Sequence, residues 1–180
     1  MKVYFLIYLT IFCFMAAFAA SEEPLRVVRF DVPLLIKPVA AEASSTHPPD
    51  KETGEEFSTK NAIDGKPNTR WSSALGEPQW LILDLDDTYN VDKVIIYWGS
   101  VYTASYKIET SEDGTNWKEA YSTDTGRGKV GTAVFPLTKA KYIKIDCIKK
   151  SEGQGPSRSE GQGFSISEIS VYGKKELLLF

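Results

Sequence analysis

The chain has 180 residues, 42% of them hydrophobic and 25% charged, with a formal net charge of −3, enough apolar material for one domain with a core of its own. That acidic balance offers no basic field to hold a polyanion, so nucleic acid is excluded as a partner and an anionic membrane surface is disfavoured. Of the two cysteines, Cys13 lies in an N-terminal apolar run, which leaves Cys147 alone and excludes a disulfide framework.

Residues 1–20 begin with Met1-Lys2, continue through VYFLIYLTIFCFMAAF and end on small residues before Ser21. This order predicts a secretory signal peptide, and hence a secreted, extracellular protein whose mature chain starts near Ser21. The small residues at the end of the run favour cleavage over a retained membrane anchor. Residues 21–38 hold three prolines around two short apolar runs and read as an extended leader that adds at most one edge strand.

From Val39 onward the chain reads as short strands between turns. The clearest are QWLILDL (79–85), VDKVIIYW (91–98), YKIETS (106–111), GTAVFPL (131–137), KYIKIDCI (141–148) and ISEISVYG (166–173). Several alternate apolar and polar residues with period two, and none sustains a helical period over the ten or more residues a helix needs. Strands at this spacing without helices between them predict an antiparallel sandwich or jelly roll. SEDGTNW (111–117) is the sharpest turn, with Asp113-Gly114 suited to positive φ. Cys147 shares the inward phase of Ile143 and Ile145 and is expected to be a buried, unreactive thiol.

Three stretches are candidates for function. NAIDGKPNTRWSS (61–73) packs Asp64-Gly65 and Pro67-Asn68 turn signals directly before Arg70-Trp71, so it is either an ordinary tight loop or one folded around something. SSTHPPDKETGEEF (44–57) and KKSEGQGPSRSEGQGF (149–164) are long polar loops, the places on a rigid sandwich where binding is usually carried. No nucleophile, base and orienting group occur in a recognisable arrangement, and the chain has one histidine, so a catalytic role is not expected.

NAIDGKPNTRWSS, QWLILDL, YKIETSEDGTNW, KYIKI and the closing GFSISEISVYG resemble, in order and spacing, the discoidin or coagulation factor 5/8 type C domain family, and within it the family 32 carbohydrate-binding modules. The resemblance covers a domain at 39–174, nearly the whole mature chain, and leaves 175–180 as a C-terminal tail. It implies a jelly-roll β-sandwich of about eight antiparallel strands and, in the opening loop, one structural calcium ion. By position, Asp64 and Glu168 would give carboxylate oxygens to that ion, Thr69 its hydroxyl and carbonyl, and Asn61, Lys66 and Ser167 their backbone carbonyls. Calcium takes six to eight hard oxygens, which a turn-rich loop can aim at one point. Arg70 and Trp71 are placed in the frame of the fold.

The resemblance further implies a non-catalytic, lectin-like module whose partner is a glycan or glycoconjugate, bound on the loops at one end of the sandwich. The candidates there are His47, Trp98, Tyr102, Arg158 and Phe164, with Glu55, Glu56, Ser72 and Ser73 close in sequence. Trp98 is divided between this role and a core position at its strand end. The specificity residues of relatives are not matched. Galactose-binding members carry a His after the Arg-Trp pair, where this chain has Ser72, and an Arg and Asn in the loop that here reads WGSVYTAS; an amino-sugar binder places an acid where this chain has Gly99. The alternative is a cell-surface or matrix adhesion protein that grips a protein or a phospholipid headgroup with the same loops, for which Phe57 and Leu75 are the apolar candidates. Nothing in the residues sets the oligomeric state.

Overall fold

The computed structural model of the protein describes residues 28–151 and 163–179. The domain is the compact unit Asp31–Glu176; a second unit comprises Met1–Phe30 with Leu177–Phe180. The signal peptide expected over 1–20 and the candidate Arg158 lie outside the described residues.

Among the described residues eight strands follow one another: β1 Val28–Ile36, β2 Ala40–Ala43, β3 Trp71–Ser72, β4 Gln79–Trp98, β5 Thr103–Ser111, β6 Lys118–Thr123, β7 Val130–Lys150 and β8 Ser165–Leu179, with one 3-10 turn, Thr59–Ala62, between β2 and β3. Strands β4 and β7 are long enough to serve two layers each. Residues 79–84 of β4 pair with 142–147 of β7, and beyond a register break residues 89–97 pair with 130–140. On its other edge the first half of β4 takes β2, whereas the second half takes β8. One layer is therefore β2–β4–β7–β5–β6 and the other is β1–β8–β4–β7, the two faces of a jelly-roll sandwich.

The alternation read in the sequence is the alternation of burial. Leu81, Leu83, Ile96, Ile108, Ile143, Ile145, Cys147 and Ile166 are all fully buried in one core, joined by Trp71. Each such Leu or Ile contributes about 1.5–3 kcal/mol of transfer free energy. Trp71 also donates its Nε1–H to the Ser45 carbonyl at 3.1 Å, which ties the first polar loop to the core.

Several boundaries differ from the sequence reading. The segments 79–85 and 91–98 are one strand, and so are 131–137 and 141–148. No Gly or Pro interrupts the first of these; the chain turns the corner on Asp86, held at φ 72°, while the Asp84 carboxylate accepts the Asp86 N–H at 2.8 Å, a local side-chain turn that tolerates the left-handed conformation. Within the leader expected over 21–38, residues Val28–Ile36 form the edge strand β1 beside β8. Strand β8 runs to Leu179 and so takes in residues 175–179 of the expected tail. Strands β2 and β6 were not legible, because AAEA offers little apolar bulk and KEAYST is an exposed edge.

Candidate functional site

The Asn61–Thr69 turn folds back on β8. Gly65, at φ 75°, takes a conformation that costs glycine least, and its N–H donates to Glu168 Oε2 at 2.8 Å across 103 residues of sequence. Asp64 accepts the Lys66 N–H at 2.9 Å and the Thr69 hydroxyl at 3.0 and 2.9 Å on its two oxygens. The Thr69 hydroxyl also lies 3.0 Å from the Lys66 carbonyl. The Asn61 side-chain amide nitrogen is already spent on the loop, donating to the carbonyls of Glu56 at 2.7 Å and Arg70 at 3.1 Å.

Burial raises the Glu168 carboxyl above the usual carboxylate range, the Gly65 hydrogen bond opposes this, and the Asp64 charge adds to the rise. Two carboxylates thus face one small volume with a hydroxyl and carbonyls around it. Among the described residues no three His, Cys, Asp or Glu side chains are grouped so that they could hold a metal ion, so a metal held here would draw much of its coordination from carbonyls. An all-oxygen set of this kind fits a hard divalent cation. Ser167, next to Glu168 on β8, is half-buried and belongs to the same corner.

The loop end expected to bind sugar is more closed than the sequence implied. Phe164 is fully buried, its N–H bonded to the Ser73 hydroxyl at 2.9 Å, and as a core residue it presents no face to a ligand. Trp98 is 6% exposed and stacks edge-on against Tyr106, ring centres 5.5 Å apart; it is a core residue at a strand end, not a loop-end platform. Ser72 and Ser73 are likewise buried. Phe57, 1% exposed, is no exposed spike: the His47 ring meets it at 5.3 Å and the Arg70 guanidinium covers it at 5.1 Å. Arg70 also pairs with Glu55 at 3.1 Å, so it braces the first loop as a structural residue. Leu75 remains 63% exposed.

Among the described residues, His47 and Tyr102 are the ligand candidates left at this end. His47 is half-buried, with Nδ1 2.7 Å from the Pro48 carbonyl and its own N–H donated to Ser72 at 2.8 Å. Tyr102 packs partly on the core, and its hydroxyl lies 3.3 Å from the Ser151 hydroxyl. A Cβ on Gly128 would stand 2.5 Å from the Tyr102 ring, so glycine there is what lets the loop close over this aromatic.

A cleft that sequence reasoning missed lies beside the Asn61–Thr69 turn. It encloses about 520 Å³ and is lined by Gly65, Pro67, Tyr97, Trp98, Lys129, Ser167, Glu168 and Ser170. Tyr97 is 39% exposed between the buried Ile96 and Trp98. The one available signal was its phase: in VIIYW it is the aromatic on the outward side.

The F5/8 type C domain model matches residues 40–161. Among solved structures, chitosan-binding module 2 from a Paenibacillus sp. IK-5 chitosanase/glucanase, in complex with chitotriose, is 31% identical with a TM-score of 0.63 and covers 77% of this chain and 98% of its own. CpGH89CBM32-5 from Clostridium perfringens, in complex with GalNAc-β-1,3-galactose, is 27% identical with a TM-score of 0.64 and covers 77% of this chain and 99% of its own. The polysaccharide lyase 8 family protein HylA of Enterococcus faecalis is 26% identical over 125 residues, 68% of this chain, but this chain spans only 9% of its length. A family model that spans most of the chain, and the same sandwich shared with modules aligned over nearly their whole length, place this protein in the F5/8 type C domain family, with the fold of the family 32 carbohydrate-binding modules.

Proposed function

We propose that this protein is a secreted, non-catalytic carbohydrate-binding module, steadied by one structural Ca²⁺ ion. The observation that carries the binding role is the likeness, across nearly the full length of each partner, to modules described in complex with chitotriose and with GalNAc-β-1,3-galactose. Their sugars differ, so the class of ligand transfers to this chain and the particular sugar does not. Family-level likeness to the lyase concerns a small part of that protein and carries no activity over.

Asp64, Glu168 and Thr69, with the carbonyls of Asn61, Lys66 and Ser167, would hold the ion. Bound, it would neutralise two facing carboxylates and join a loop to a strand 103 residues away. At the loop end, Tyr102 and His47 are the residues proposed to meet a sugar, since an aromatic face suits the C–H face of a pyranose and a ring nitrogen can read a hydroxyl.

A glycan array probed with the purified protein, with and without calcium, tests this reading. Binding to a defined set of glycans is the expected result, weaker after chelation. Binding to phospholipid vesicles but to no glycan would overturn it in favour of an adhesion protein that grips a lipid headgroup.

A further inference from the structure

The cleft beside the Asn61–Thr69 turn has the makings of a ligand site separate from the loop end. Its floor is the outer face of the β1–β8–β4–β7 layer, where the register sets Glu168, Tyr97 and Val130 side by side in one row and Ser170, Ile95 and Thr132 in the next. Tyr97 and Val130 are 39% and 52% exposed. One wall is Gly65 and Pro67, fixed to the floor by the Gly65–Glu168 hydrogen bond at 2.8 Å. The other is Lys129, a non-glycine residue held at φ 54°, whose carbonyl accepts the Trp98 N–H at 2.9 Å. Such a backbone costs free energy and is kept where the surroundings over-determine it, often at binding sites.

An aromatic floor between a carboxylate on one side and an ammonium on the other suits a ligand with an apolar face and a rim of groups that both donate and accept hydrogen bonds. An aliphatic ligand would leave Lys129 and the two serines without partners on desolvation, and would cover a Glu168 carboxylate that keeps only the Gly65 N–H. A flat anion would meet Glu168. A neutral pyranose satisfies all of them: its C–H face lies on an aromatic ring, and its hydroxyls donate to a carboxylate and accept from an ammonium or a serine hydroxyl. The volume, about 520 Å³, falls within the roughly 300–1,000 Å³ usual for small-molecule sites.

We infer that this cleft is a second saccharide subsite, in which Tyr97 stacks on one neutral pyranose unit while Lys129, Ser170 and Glu168 hydrogen-bond its hydroxyls. The inference rests on the carbohydrate-binding reading and extends it from the loop end to the sheet face. Two separated subsites on one small domain would let it grip two units of a chain or two branches, raising avidity without a deep pocket.

The test is a titration of the ¹⁵N-labelled protein, in calcium buffer, with galactose, N-acetylglucosamine and chitotriose. Amide shifts at Tyr97, Val130, Lys129 and Ser170 with at least one probe are expected. Tyr97→Ala should weaken those shifts about tenfold or more in apparent affinity, and Tyr97→Phe, which keeps the ring, should retain them. Because Tyr97 is exposed, its removal leaves the core intact, and unchanged shifts elsewhere in the variant's spectrum verify this. Shifts confined to the neighbourhood of Tyr102 and His47, or sheet-face shifts indifferent to Tyr97→Ala, overturn the second subsite alone. No shift anywhere with any probe overturns the carbohydrate-binding reading, and the subsite with it.

Discussion

Cys147 illustrates how far a single residue can be read from its neighbours. Its place in YIKIDCI puts it in phase with Ile143 and Ile145, and all three are fully buried. Burial, with a smaller contribution from the Asp146 charge, pushes its thiol far above the ordinary value, so the reactive thiolate is not formed at neutral pH. Cys147 is therefore expected to resist a disulfide-exchange reagent in the native protein and to react fully in denaturant; rapid labelling of the native protein would contradict its place in the core. Trp98 shows where the same reasoning stops. Its phase was as compatible with a platform as with a core position, because a strand's last residue lies inside or outside according to what the next loop covers. Here Tyr106, on β5, covers it. Phe164 was misread for a related reason: it follows a long polar loop in sequence, yet β3 and the Ser73 hydroxyl draw it inward.

At the scale of an element, the SEDGTNW turn between β5 and β6 was legible because its chemistry is local. The Asp113 carboxylate accepts the N–H groups of Thr115 and Asn116, each at 2.8 Å, and the Asn116 side-chain amide at 2.7 Å. These bonds, those of Asn116 foremost, hold its carboxyl well below the ordinary 3.8. A depressed carboxylate contributes stability that is present above its unfolded value and lost as pH falls through the folded one. Asp113→Ala should accordingly melt below wild type at pH 7, and the gap should close as the pH is lowered from about 4; a gap that persists at the acid end would assign the loss to something other than this charge. The long strands were harder. That β4 is one strand and not two depends on Asp86 at φ 72°, a corner that an Asp-Asp pair does not announce, whereas the Asp113-Gly114 turn carries its own glycine.

Over the whole molecule, the proposed ion would act as a clamp between regions that are remote in sequence. Binding to the native state alone adds about 2.7 kcal/mol when the ion stands at a hundredfold excess over its dissociation constant, or roughly 5–10 °C for a domain of this size. Chelation of the calcium-loaded protein should lower the melting temperature by about that amount, and Asp64→Ala should remove the sensitivity to chelator; wild-type melting that moves neither when EDTA is added to calcium-loaded protein nor when calcium is returned to protein stripped of metal would refute the calcium assignment. The division between what the residues state alone and what the fold adds follows from range. Period-two alternation in 79–85, 141–148 and 166–173, the turn signals around Gly65 and Gly114, and the absence of helical periodicity are local, and they sufficed for an antiparallel sandwich or jelly roll, while the family came from the resemblance of the ordered motifs. The convergence of Asp64 with Glu168, the burial of Phe164, and the cleft that sets Tyr97 beside Pro67, Lys129 and Glu168 are decided by cross-strand register. Register is settled by which faces a folded core can bury together, and no single stretch of the chain contains that information.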